Sequence, residues 1–301
     1  NRLAESRFAF PVMIIYGLAV WLGAGTVAEG AYLQLAFFVA STLLMMMLNN
    51  TNSLIRIYSR MVSCSFVAMT CAATFLFSSL ESCATGMCFI LFYLSLLRSY
   101  QDKRAPGIAF YSFACLGIAS LFFVQILYFV PFLWILMASN MMALTHRMFW
   151  ATVLGLVMPY WFAVGYYVVT NQFDAFIDHF AELAQFEPLL QYEALDIHRI
   201  ATFGLVVLLA VIGIIHYMRN SYQDKIRTRM IFEMFITVDI LSFVFIILQP
   251  QHFDNLLPII IVNTSCLFAH YVALTRTWLT NVTFIVMCLA TLGLTIFNLM
   301  P

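Results

Sequence analysis

Tyr111-Ser-Phe-Ala-Cys-Leu-Gly-Ile-Ala-Ser-Leu-Phe-Phe-Val-Gln-Ile-Leu-Tyr-Phe-Val-Pro-Phe-Leu-Trp-Ile-Leu136 carries no charged residue, and none occurs anywhere in 106–144. A helix needs about 20 apolar residues to cross the hydrocarbon core of a bilayer. The uncharged segment is too long for one crossing and short for two. A hairpin reconciles these lengths: Gly107 to Phe122, a turn near Val124 and Gln125, then a return through Pro131 and Trp134 to Asn140.

The basic residues support the hairpin, because Lys and Arg near span ends mark the cytoplasmic side. With it, Arg2, Arg7, Arg56, Arg60, Arg98, Lys103, Arg104, Arg147, Arg219, Lys225, Arg227, Arg229 and Arg276 share one side, and only Arg199 is opposite. A single span would send Arg147, the 219–229 cluster and Arg276 across and dissolve the bias.

The same logic extends to the whole chain. Of its 301 residues 63% are hydrophobic and 9% charged, against about 25% charged in soluble domains. The apolar runs are continuous rather than alternating, which indicates helices and excludes a barrel. Eleven spans are expected: 8–25, 31–48, 61–79, 84–98, 106–122, 126–144, 149–170, 199–218, 230–248, 257–274 and 279–299. The fold expected is all-α, a polytopic transmembrane bundle forming one domain over 1–301. Its N-terminus is cytoplasmic and its C-terminus external. Formal net charge is zero, so no nucleic acid or other polyanion is implied as partner. The seven cysteines form no metal-type cluster, and no cofactor is indicated.

Ser99-Tyr-Gln-Asp-Lys103 recurs as Ser221-Tyr-Gln-Asp-Lys225. Each copy follows one apolar span and precedes another. The match raises a parallel repeat relating the 99–103 and 221–225 connectors; the alternative is convergence, since Tyr suits an interface and Asp and Lys a wet connector.

The external connector 171–198 is the longest. Phe173, Phe176, Ile177, Phe180 and Leu183 follow helical spacing, Asp174, Asp178 and Glu182 take another face, and Pro188 stops the helix. That pattern is an amphipathic helix lying in the interface. It is either a solvated surface helix or a lid presenting Asp178 or His179 to a substrate. Two carboxylates lie within the 230–248 span. Glu233 is within a turn of the cytoplasmic edge, in reach of Arg229 or Lys225. Asp239 lies ten residues in, about 15 Å deep, where ionisable groups are costly and take partners. Asn263 and Thr264 sit at similar depth in the next span.

The stretch Tyr111 to Phe123 followed by Pro131-Phe-Leu-Trp-Ile-Leu136 resembles the short-helix hairpin of GT-C-type membrane glycosyltransferases, as does Gly155-Leu-Val-Met-Pro-Tyr160. Taken whole, the chain resembles an uncharacterised multi-span inner-membrane family of Bacteroidota-type bacteria, through the Asn49-Asn50 connector, the hairpin and the Asp239 span. The resemblance implies a bacterial cytoplasmic (inner) membrane location. GT-C enzymes carry catalytic acids in a long first external loop; here that loop is about five residues around Glu29.

Three functional readings follow. The first is a non-catalytic subunit or scaffold of a cell-envelope assembly, partnered by lipid and by another membrane protein. It expects small residues open to a neighbouring helix, Gly17, Gly23 and Gly25 or Gly204 and Gly213. The second is a polyprenyl-phosphate-sugar glycosyltransferase, or a protein handling lipid-linked glycan. It requires an outward cavity lined by Glu29, Arg199 and the 171–198 helix, with Glu29, Asp178 and Arg199 as catalytic candidates. The third is a transporter, with Asp239 as its intramembrane acid facing a hydrated path between broken helices.

Overall fold

The computed structural model describes residues 6–185, 195–275 and 277–300, Leu279 by its backbone alone. Arg2, Glu187, Pro188 and Arg276 lie outside the described residues. Among those described every regular element is a helix and no strand occurs: α1 Ala9–Gly23, α2 Tyr32–Asn52, α3 Met61–Ala72, α4 Leu80–Leu96, α5 Pro106–Phe122, α6 Val130–Ser139, α7 His146–Val169, α8 Phe173–Ala184, α9 Ile197–Asn220, α10 Ile226–Leu248, α11 Phe253–Leu274 and α12 Trp278–Leu299. Seven of them, α2, α4, α7 and α9 to α12, are long and apolar enough to cross a membrane. Four further apolar segments are shorter: α1, α3, α5 and 124–139. The expectation of eleven crossings thus meets seven helices of full length and four shorter pieces.

Helix α11 is the axis of the bundle. Every residue from Ile259 to Ala273 is buried, with α3, α4, α9 and α10 packed around it. A helix packed against neighbours on every side has no face to give to water and belongs inside. The outer helices are apolar outward instead. Val12, Ile15 and Leu22 on α1, Leu154, Trp161 and Phe162 on α7, and Ile285, Leu289 and Ile296 on α12 are all exposed. Such faces need an apolar solvent.

Three glycines allow close approach. A Cβ at Gly155 would stand 2.2 Å from the Phe110 carbonyl oxygen, and one at Gly117 2.5 Å from that of Leu156. Helices α5 and α7 therefore meet backbone to backbone. Residues 111–123 and 155–160 form the two sides of this seam, so their small residues have a packing role. A Cβ at Gly213 would lie 2.9 Å from the Leu267 carbonyl carbon, which seats α9 on α11. Gly17 faces Val67 and Phe38. Of the glycines expected to await an external helix, these two are used internally. Gly25 lies beyond α1 in the turn, at φ +73°. Gly23 and Gly204 remain open.

The hairpin turns where the sequence places it. Helix α5 ends at Phe122, a 3-10 segment spans Val124–Phe129, and α6 returns from Val130 with Pro131 in its first turn. A second interruption was not expected. The 61–79 span breaks at Ala73 (φ −107°, ψ 58°) before a 3-10 segment Thr74–Ser78. Asn298 of α12 holds the break: its Nδ2 donates to the Ala72 carbonyl, and Thr74 donates to the Asn298 carbonyl at 2.9 Å. Polar groups freed by a broken helix need such substitutes in an apolar medium.

The two ends of the bundle are chemically distinct. Arg227 donates to the Leu97 carbonyl and to Asn52, both at 3.0 Å. The Gln101 amide donates to the Met141 carbonyl at 2.9 Å. Arg60 lies over the Phe10 ring. These bonds gather the start of α1 and the α2–α3, α4–α5, α6–α7 and α9–α10 connectors at one end. Among the described residues every Lys and Arg except Arg199 belongs to that end. Both Ser-Tyr-Gln-Asp-Lys copies are there too, and in each the Asp amide donates to the Ser carbonyl. They differ at Gln101, which alone of the two glutamines is left-handed (φ 59°).

Candidate functional site

Polar side chains of α11 occur at three levels, each joined to a different neighbour. At the end opposite the basic one, Arg199 of α9 donates Nε and Nη2 to the two carboxylate oxygens of Asp254, both at 2.9 Å. The Arg199 guanidinium also covers Phe75 at 5.2 Å. Beside this fork, Ser82 of α4 donates to Asn255 at 3.1 Å.

Halfway along, Thr264 donates to Asp239 Oδ2 at 2.9 Å, and Tyr93 of α4 donates to Asn263 Oδ1 at 2.7 Å. Asp239, Asn263, Thr264 and Tyr93 are all wholly buried. The Asn263 amide adjoins the same carboxyl without a well-aligned bond, which leaves Asp239 Oδ1 and Asn263 Nδ2 unpaired. Thr264 and Asn263 thus adjoin Asp239, and Tyr93 is the member the sequence did not announce. This cluster joins α4, α10 and α11 and lines neither of the polar clefts at the two ends of the bundle.

At the basic end His270 Nε2 meets Asp224 Oδ2 at 2.9 Å, with Arg56 Nη1 4.0 Å from Oδ1. The Asp224 and His270 side chains are 2% and 0% exposed. Asp224 is the acid of the second Ser-Tyr-Gln-Asp-Lys copy. Its counterpart Asp102 stays exposed and accepts from the Arg104 amide. Repetition of the pentapeptide was the available signal, but it does not reveal that only one copy turns inward. Glu233, expected to pair with Arg229 or Lys225, takes its hydrogen bond from Asn140 instead, at 3.0 Å. The end of α6 brings Asn140 to that face of α10, where it also reaches the Met230 carbonyl.

Glu29 and Arg199, far apart in sequence, line one cleft of about 460 Å³ at the end opposite the basic one, with Asp196 and His198. Helix α8 is not part of it. It lies on α7, its Phe176 and Phe180 rings against Tyr160. His179 is tied to the Ser120 carbonyl at 2.9 Å, while Tyr128 donates to the Leu183 carbonyl. Asp178 points to the exposed side. The cavity expected around Glu29, Arg199 and the connector helix therefore forms without that helix, because its aromatic face is taken up by α7. Helix α8 ends at Ala184, and the expected stop at Pro188 falls outside the described residues.

Comparison with known protein families, with curated proteins and with solved structures finds no match to this chain.

Proposed function

We propose that this chain is a multi-pass protein of the bacterial inner membrane, crossing it eleven times with its basic end in the cytoplasm, and that it is a non-catalytic subunit or scaffold of a cell-envelope assembly. The observation that carries this reading is the internal use of two of the groups on which chemistry was expected to rest, Asp239 and Arg199. Asp239 is buried against Thr264 and Asn263 and Arg199 is forked onto Asp254, so each joins helices. A transport path would need Asp239 to meet water between broken helices, and the cluster around it is closed. The short piece α3 completes its crossing with 74–78, while α5 and 124–139 are the outward and return crossings of the hairpin. Charge asymmetry supports the orientation.

The test is cross-linking in native membranes followed by purification in mild detergent. A second membrane protein in fixed stoichiometry, retained equally by wild type and Asp239→Asn, is expected. A lone chain that moves solute into proteoliposomes in an Asp239-dependent way would overturn the proposal.

A second reading, handling of lipid-linked glycan, is favoured by one observation: the outer cleft that brings Glu29 and Arg199 together. It predicts that Glu29→Gln abolishes turnover of a polyprenyl-phosphate sugar in proteoliposomes. Wild-type protein inert towards that donor would dispose of it.

A further inference from the structure

The buried Asp224–His270 pair at the end of α11 has a second imidazole beside it. His270 Nε2 donates to Asp224 Oδ2 at 2.9 Å, and Arg56 Nη1 stands 4.0 Å from the other carboxylate oxygen. The His216 ring of α9 lies 5.4 Å from the His270 ring and meets Tyr271 edge-on at 5.3 Å. Phe232 of α10 and Tyr217 of α9 also pack on His270. In both imidazoles Nδ1 is buried without a hydrogen-bond partner. The charged or titratable groups acting on His216 are His270, Asp224 and Arg56. Arg229 and Glu233 of α10 are neighbours of Tyr217, whose hydroxyl donates to the Arg229 carbonyl at 3.1 Å.

One carboxylate thus serves two imidazoles and a guanidinium. A buried charge must be paired, and Asp224 can balance one imidazolium. With both rings protonated, three cations would surround a single anion, two of them in ring contact and with no acceptor at Nδ1. Like charges so placed disfavour the second proton. Histidine is the side chain that gains its charge between pH 5 and 8. Asp224 and Arg56 also line the polar cleft at this end, so protons arrive from water. Asp224 is moreover the tie between the α9–α10 connector and α11. Its counterpart in the first Ser-Tyr-Gln-Asp-Lys copy, Asp102, accepts instead from the Arg104 amide of its own connector.

We propose that Asp224, His270 and His216 form a proton-operated latch: with no more than one imidazole charged, Asp224 holds the α9–α10 connector against α11, and when acid charges both, the connector lifts away. The open form binds one proton more than the closed form, so falling pH favours opening. The inference does not depend on the scaffold role; it needs only this end of the bundle to meet water.

The test is amide hydrogen exchange of the full chain in neutral detergent between pH 7.5 and pH 5, with labelling times scaled to the intrinsic exchange rate at each pH. The connector 219–226 is the reporter and the matching connector 99–105 the internal reference. Opening of 219–226 is expected to rise by up to about tenfold per pH unit, the slope set by one proton, while 99–105 stays flat. His216→Phe keeps a ring against Tyr271 but cannot charge, and should leave 219–226 closed throughout. Arg56→Gln removes a competing cation and should move the transition to lower pH; Asp224→Asn removes the balancing anion and should move it to higher pH. A merely structural bond would give no such opposed shifts. An equal rise in 99–105, a transition that persists in His216→Phe, or displacement of the midpoint in the same direction by Arg56→Gln and Asp224→Asn would overturn the latch. Should His216→Phe or Asp224→Asn not fold, the direction of the Arg56→Gln shift, at a partly exposed position, decides alone.

Discussion

Gly155→Ala and Gly165→Ala make the same chemical change on the same helix and should act in opposite directions. At Gly155 the added methyl would stand 2.2 Å from the Phe110 carbonyl oxygen, 3.0 Å from its carbon and 3.1 Å from the Ala114 nitrogen. All three are backbone atoms of α5, so no rotamer change relieves the overlap. The two helices must part by about 1 Å, and a gap of that size forfeits about half of each dispersion contact along the seam. Overpacking of this kind costs about 1–3 kcal/mol, here at the upper end because the obstacle is backbone. Alanine recovers about 1 kcal/mol of helix propensity over glycine, leaving Gly155→Ala less stable by about 2 kcal/mol. At Gly165 nothing lies within 4 Å of the new carbon, so only the propensity gain of about 1 kcal/mol remains. The free cysteines provide the assay. Cys64, Cys71, Cys88 and Cys266 are buried, and their reaction with a thiol-specific dye on heating in detergent reports unfolding. Equal stability of Gly155→Ala and wild type, or the same shift in both variants, would refute the reading of α5 and α7 as a backbone contact.

Other perturbations separate joining roles from surface ones. Thr264→Val should cost about 1 kcal/mol, the scale of a hydrogen bond between helices in lipid, and Asp239→Asn less, because the amide oxygen still accepts from Thr264; equal losses in both would show that the charge itself matters. Asn298→Ala should free the end of α12 from α3 and α9, seen as faster amide exchange in 290–299 with the α11 core unchanged. Arg199→Ala should cost less than about 1 kcal/mol, because both partners of the Asp254 pair are partly exposed and solvent screens them; a loss that persists at high salt would contradict this. Cysteines placed at Glu29 and at Lys103 should react with a membrane-impermeant maleimide from opposite sides of sealed vesicles, and labelling of both from one side would break the proposed topology.

The features most visible in the sequence were those fixed by solvent. Absence of charge over 106–144 located the turn near Gln125, because a chain in lipid must return before it can place Arg147. The proximity of Asp239 to Thr264 was likewise legible, since rise per residue fixes their relative height on neighbouring antiparallel helices. Features set by close packing were not. The break at Ala73 depends on Asn298, a residue more than two hundred positions away, and nothing in 61–79 announces it. Gly213 and Gly204 look alike in sequence, yet only Gly213 meets another backbone. The Asp224–His270 pair was hidden because a repeated pentapeptide gives both acids the same local sequence while only one lies beside the end of α11. Tyr93 read as one more aromatic among many, and its hydroxyl acquires meaning only through Asn263.

Why the most deeply buried helix should carry so much polarity follows from what packing can and cannot specify in an apolar surrounding. Lipid tails are as apolar as leucine, so burying an aliphatic face gives little preference for one rotation or one axial position of a helix over another. A hydrogen bond does, because a shift of one residue breaks it and leaves buried groups unpaired. Helix α11 is bonded near one end through Asp254 and Asn255, midway through Asn263 and Thr264, and near the other end through His270. Its partners there are α9 and α4, then α4 and α10, then the α9–α10 connector. Helix α4 is met twice, Ser82 at Asn255 and Tyr93 at Asn263, in the order that parallel helices require. Helix α10 runs the other way and is met at Asp239. Two levels on one neighbour fix tilt as well as height; a third, on the connector, fixes the height of α10 relative to α9. A carboxyl group in the middle of such a ladder therefore has a structural reason to be there that does not require it to touch a substrate.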